Sequence, residues 1–236
     1  MIRKVTLAAS LMLASAAGAV TCEDRGDITL CTVDATTEDL RLFHTGPDGN
    51  LLGSFYPIED AFGELQFAMN AGMYHDDRAP VGLHLENGVE TMYLVPNPGP
   101  GNFGMLPNGV FCIGDDFVSV IETLAYRDNP PDCNFATQSG PMLVIDGDLH
   151  PRFIEGSTSR YIRNGVGVSD DGETAYFAIS NRPINFWDFG SFFRDELGVS
   201  NALYFDGKVS RLFAPDLGRR DGGPRMGPMV GVIAPE

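Results

Sequence analysis

Ile28-Thr29-Leu30-Cys31-Thr32-Val33 alternates large apolar with small polar side chains. That two-residue period belongs to a half-buried strand and not to a helix. Working outward, residues 40–43 and 51–55 flank the turn cluster Gly46-Pro47-Asp48-Gly49-Asn50, which predicts a hairpin. Further strands are expected at 66–69, 82–85, 91–95, 118–122, 142–145, 176–179 and 202–205. Asn87-Gly88, Asp146-Gly147 and Asp171-Gly172 are tight-turn dipeptides between such runs. One helix is well signalled: Phe186, Phe189, Phe193 and Leu197 share a face, Asn185 caps the start and Gly198 ends it. Its aromatic stripe reads as core. A shorter helix is expected near 58–62. With 28 Gly and 16 Pro and no repeat or linker, the chain reads as one α+β domain. Its base is an antiparallel or mixed β-sheet with a few helices.

Residues 1–19 read as a signal peptide: Arg3 and Lys4 open it, an apolar run follows, and Ala17-Gly18-Ala19 supplies a small-x-small cleavage pattern. The remaining domain is 20–236. It carries 14 basic against 32 acidic side chains, because Arg3 and Lys4 leave with the leader, so its balance is −18. Such a charge excludes a general nucleic-acid binder and a polybasic membrane-surface protein. No segment after the leader is long and apolar enough to span a membrane. Cys22, Cys31, Cys112 and Cys133 form an even set in an exported chain and read as disulfides. Three connectivities exist, and proximity in sequence favours Cys22–Cys31 and Cys112–Cys133. The expected location is periplasmic or secreted.

Familiar signatures fail on context. Gly99-Pro100-Gly101-Asn102-Phe103-Gly104 matches a dinucleotide fingerprint literally, but Pro96, Pro98, Pro100 and Pro107 oppose the helix that motif needs. His44, His75, His84 and His150 are scattered, so no metal cluster is evident. No cofactor is evident either, and a divalent cation stays open.

Other segments place polar residues where an apolar strand meets a loop, a common location for sites. They are Asn70-Ala71-Gly72-Met73-Tyr74-His75, Gln138-Ser139-Gly140-Pro141, the run from Arg160 to Gly167, and Asp206-Gly207-Lys208-Val209-Ser210. Together with Pro80-Val81-Gly82-Leu83, Asn102-Phe103, Pro107-Asn108-Gly109-Val110-Phe111 and Asn201-Ala202-Leu203-Tyr204-Phe205, they keep a fixed order along the chain. The succession resembles the phosphodiester glycosidase family, that of the mannose-6-phosphate uncovering enzyme, in a short exported bacterial form. The last motif departs from Asp-Gly-Gly-Gly-Ser: Asp206, Gly207 and Ser210 match, but Lys208 and Val209 make the loop bulkier and add a cation.

The resemblance implies hydrolysis of a sugar-1-phosphodiester between the anomeric carbon and the phosphate oxygen. An oxocarbenium-like transition state wants a carboxylate, for which Asp206 is the candidate. Arg163 suits the phosphate, because a guanidinium fork matches two of its oxygens. Asn70 suits sugar hydroxyls or a water. Ser210, Gln138, Gly207 and Gly140 would complete the substrate site, with Arg160, His75 and Lys208 behind them. Asp76, Asp77 and Asp188 are candidates for a second carboxylate. The partner is then a phosphate-linked sugar or polysaccharide. Two other classes fit the same residues: a non-catalytic periplasmic glycan-binding protein and a metal-assisted phosphodiesterase.

Overall fold

In the computed structural model, which describes residues 20–235, the strand Ile28–Asp34 is the second strand from one edge of a seven-stranded sheet. The signal peptide expected at 1–19 lies outside the described residues. Across that sheet the order is Thr21–Asp24, Ile28–Asp34, Thr174–Ser180, Asn164–Val168, Asn201–Asp206, Met142–Ile145 and Asp148–Leu149. A five-stranded sheet runs Arg219–Arg220, Leu212–Ala214, Leu65–Asn70, Met229–Ile233 and Asp39–Phe43. A second runs Val89–Met92, His84–Glu86, Phe135–Ser139, Gly109–Ile113 and Val118–Glu122. Every pairing between these described strands is antiparallel. With three α-helices, this is a mostly-β α+β fold in a single domain.

The three sheets meet where Phe67, Phe111, Phe177 and Phe205 touch, with ring centroids 4.9–6.2 Å apart. Alternation then sorts each strand between two buried layers. In Asn201–Asp206, Leu203 and Phe205 enter this central cluster. Ala202 and Tyr204 face the helix Phe186–Ser191 on the other side. Both faces are buried, so the strand reads as a continuous apolar run.

That helix starts as expected, the Asn185 side chain accepting from the Asp188 amide at 2.8 Å. It widens into a π-helix over Phe192–Glu196 and ends at Gly198, φ +68°. Phe189 and Phe193 are fully buried core, and the half-buried Phe186 packs against the same cluster, stacking on Phe153 at 4.9 Å. The expected hairpin at 40–55 is corrected. Its return limb contributes one bridge, Thr45 to Leu51, and Asp39–Phe43 pairs instead with Met229–Ile233. Gly53 turns the chain at φ +67° against Arg225, and Pro57, with its fixed φ, fits the first turn of the helix Phe55–Phe62. The short helix expected at 58–62 therefore begins earlier.

Both disulfides form as proximity suggested, Cys22–Cys31 across neighbouring strands and Cys112–Cys133 within the second five-stranded sheet's outer layer. Two bridges fit an oxidising compartment. No described helix is long and apolar enough to cross a membrane.

Candidate active site

The strands Leu65–Asn70 and Asn201–Asp206, from two different sheets, end side by side. Their last residues are joined by a buried amide clasp. Asn164 Nδ2 donates to the Asn70 side chain at 3.0 Å and to its carbonyl at 2.9 Å, and Asn70 Nδ2 returns a bond at 3.2 Å. Asn164 Oδ1 also accepts the Asp206 amide at 3.1 Å. Asn70 Oδ1 takes the Arg211 amide at 2.9 Å. Both asparagines are fully buried, so Asn70 positions the site and does not line it. Ser210 works from the same side: its hydroxyl donates to the Asp206 carbonyl at 2.8 Å and lies 3.1 Å from the Ile162 carbonyl.

A register shift beside the clasp sets the direction of Asp206. Asn164 faces Asp206 while Gly165 faces Tyr204, which leaves Phe205 as an extra, bulged residue. Asp206 then meets a cleft of about 880 Å³. The Gly207 and Lys208 amides donate to its Oδ1 at 2.7 and 2.9 Å. Burial pushes its carboxyl above the usual carboxylate range, outweighing these amides, that of Val209 and the Lys208 charge. Gly207 must lack a side chain, since a Cβ there would lie 2.1 Å from the Tyr204 hydroxyl. That hydroxyl is buried with no well-formed hydrogen bond. Burial and the nearby Asp206 charge raise its pKa, against the opposing pull of the Arg163 charge.

The opposite wall comes from the loops that leave the strands. Met73, Tyr74, His75, Asp76 and Arg78 follow Asn70, and Pro100 to Phe103 join them in the lining. The literal glycine fingerprint is thus a cleft loop with no helix after it; Gly104 lies so close to the Gly99 backbone that a Cβ would collide at 2.1 Å. Arg78, Lys208 and Arg225 bring cations to the cleft, and Tyr74, Tyr161 and Phe103 bring ring faces. Arg78 Nε is buried without a partner.

Arg163 is placed differently from its expected role. It is 1% exposed and does not line the cleft. Nε donates to the Ile184 carbonyl at 2.9 Å and Nη2 to that of Ser159 at 3.1 Å. Its guanidinium stacks 3.6 Å over the Phe186 ring and lies 5.5 Å from that of Tyr204. Nη1 has no partner. Its fork is therefore spent on backbone, and it stands behind Tyr204.

Gln138 is also internal. Its amide makes all four bonds available to it: it accepts from Leu83 and Val95 amides at 3.2 and 2.9 Å, and donates to the Val95 carbonyl and Thr123 hydroxyl at 2.8 and 3.2 Å. Gly140 packs under Asn108, where a Cβ would lie 2.5 Å from its neighbour. Arg160 is half-exposed and pairs with Asp188 at 3.5 Å. Asp77 caps its own turn through the Ala79 amide. Of the expected residues, Asp206, Gly207, Lys208, His75 and Asp76 line the cleft; Asn70, Ser210, Arg163, Gln138 and Gly140 lie behind it, and Arg160 and Asp188 pair outside it. Tyr204, Tyr74, Tyr161, Asn102, Arg78 and Arg225 are lining residues the sequence reading did not single out as site residues. Tyr204 and Asn102 stood inside quoted motifs, whereas Arg225 carried no local signal.

Comparison with known proteins bears on this cleft. The family described as phosphodiester glycosidase matches residues 63–222, a span that includes Asn70, Asn164 and Asp206. The uncharacterized protein YigE of Escherichia coli (strain K12) is 34% identical over 219 residues, covering 90% of this chain and 85% of its own. The catalytic domain of zebrafish N-acetylglucosamine-1-phosphodiester alpha-N-acetylglucosaminidase, auto-inhibited by its pro-peptide, superimposes with a TM-score of 0.62 at 15% identity. That match covers 92% of this chain and 82% of the zebrafish one. A hypothetical protein from Synechocystis has a TM-score of 0.59 at 13% identity, covering 90% and 61%.

Proposed function

The chain belongs to the phosphodiester glycosidase family, and we propose that it is an exported hydrolase acting on a sugar-1-phosphodiester of the periplasm or extracellular space. Asp206 carries the reading. A buried carboxylate opens into a cleft to which Arg78, Lys208 and Arg225 bring positive charge, in a domain whose overall balance is −18.

The chemistry follows from the charges. As the anomeric C–O bond stretches, the sugar becomes cationic, and Asp206 stabilises that charge or attacks the carbon. The departing phosphodiester needs neutralisation more than a strong acid, and the three cations supply it. Tyr74, Tyr161 and Phe103 offer flat faces to the apolar side of a sugar ring. Asp76 is the second carboxylate on the cleft wall. Arg163 acts from behind, its buried charge biasing the Tyr204 hydroxyl next to Asp206. The leader at 1–19 and the two disulfides support export.

Turnover of a chromogenic sugar-1-phosphodiester in ¹⁸O-labelled water tests this. Label in the anomeric hydroxyl of the released sugar is expected. Label in the phosphate would make the protein a phosphodiesterase, and glycan binding without turnover would make it a binding protein.

A further inference from the structure

Outside the cleft, His44, His84 and Glu86 converge, one ligand atom from each lying within 4.8 Å of the other two. His84 and Glu86 are two residues apart on one strand and so share a face. His44 follows the end of Asp39–Phe43. The His44 and His84 rings meet edge to face at 5.3 Å.

His84 is the unusual member. It is 0% exposed, yet neither ring nitrogen has a hydrogen-bond partner. A bare buried polar group costs about 1–3 kcal/mol, and this imidazole has two nitrogens in that condition. Its Nε2 lies 3.6 Å from Glu86 Oε2, near the roughly 3.3 Å expected between two ligands about 2.0–2.1 Å from one tetrahedral ion.

The neighbours of the cluster are arranged as a metal's outer partners are. The His44 amide donates to Glu86 Oε1 at 2.8 Å, which leaves Oε2 toward His84. His44 Nε2 donates to the Arg78 carbonyl at 2.9 Å. A carbonyl only accepts, so the proton sits on Nε2 and the lone pair on Nδ1. Such bonds fix tautomer and ring direction for coordination.

We propose that His44, His84 and Glu86 form a zinc site, with Nδ1 of His44, Nε2 of His84 and Oε2 of Glu86 as protein ligands and water in the fourth position. Two imidazoles and a carboxylate suit zinc among the divalent ions. None of the three lines the cleft, so the ion would not touch substrate there. Its reach is through Arg78, whose carbonyl holds His44 and whose side chain lines the cleft. Arg78 adopts φ +76° in a turn closed by its amide on the His75 carbonyl at 2.8 Å. Zinc would fasten this turn, and with it His75 and Arg78, to the sheet.

The test uses untagged full-length protein, stripped with a chelator, dialysed and titrated with ZnCl₂ by calorimetry. One ion per chain is expected, with a rise in Tm and a zinc-edge absorption spectrum of two imidazoles plus oxygen. Glu86→Gln and His84→Gln should each weaken binding by about 100-fold or more and abolish the Tm rise. If His84→Gln fails to fold, Glu86→Gln alone decides. No zinc uptake at micromolar concentration, or equal uptake by Glu86→Gln, overturns the site. These readouts need no turnover, so they stand apart from the hydrolase assignment.

Discussion

Arg163 and Lys208 are both cations within a few residues of the clasp strands, yet the fold uses them in opposite ways. Arg163 is buried, stacked on Phe186 and bonded to two backbone carbonyls. Lys208 is exposed on the wall of the cleft that Asp206 also lines. A buried guanidinium gives up hydration for fixed partners, and its fork is no longer available to a ligand. An exposed ammonium keeps its hydration until an anion replaces it. The first therefore supports the cleft from behind, and the second is left free on its wall to meet an anion.

Asp206→Asn should produce the largest change, because it removes the buried carboxylate on which the proposed chemistry rests. Turnover of a sugar-1-phosphodiester is expected to fall by about 10³-fold or more, equivalent to roughly 4 kcal/mol. The fold should survive, since an amide oxygen can still accept from Gly207 and Lys208. The pH dependence has a definite sign. The folded chain holds the Asp206 proton more tightly than the unfolded one, so ionisation costs stability as pH rises above the ordinary value of 3.8. Thermal melts should show Asp206→Asn gaining on the parent protein over that rise and not below it. A constant difference across the range would contradict the raised pKa.

Arg163→Met is expected to act on stability first. It leaves the Ile184 and Ser159 carbonyls without their charged donor, at a cost of roughly 2–3 kcal/mol, or about 5–10 °C in Tm for a domain of this size. An unchanged Tm together with a raised KM would return Arg163 to the phosphate.

The smallest effects separate two exposed cations. Lys208→Ala should raise KM about tenfold with little change in Tm, and the effect should shrink as salt is added. Arg160→Ala removes only an exposed pair with Asp188 and should change stability by less than about 0.5 kcal/mol and leave KM alone. Equal KM values for the two variants would dissolve the distinction between cleft and surface.

Much of the fold could be read along the chain because period and turn chemistry are local. Val118–Glu122 and Met142–Ile145 were expected with these bounds, and Asn87-Gly88 turns as its dipeptide implies, at φ 51° and 73°. Asn164–Val168 was harder to see, because Gly165 and Gly167 break its apolar pattern. A Cβ at Gly165 would lie 2.5 Å from the Leu203 carbonyl, so close packing and not local preference chose glycine. The site divides in the same way. Asp206 was visible as a polar residue at the end of an apolar strand. That Asn70, Gln138 and Arg163 turn inward was not, because whether a side chain lines a cleft or supports it depends on what packs against it.

By itself, then, the sequence determined the acidic balance, several strands such as Val118–Glu122 and Met142–Ile145, and a preference for the two disulfide pairs that form, all of which rest on neighbours in the chain or on simple counts. Tertiary structure alone decided which cations reach the cleft and which histidines come together. His44 and His84 are separated by forty positions; His84 begins a strand of one sheet, and His44 stands just past the end of a strand of another. Only the packing of those sheets brings their rings into contact, because no rule of local periodicity acts over that distance.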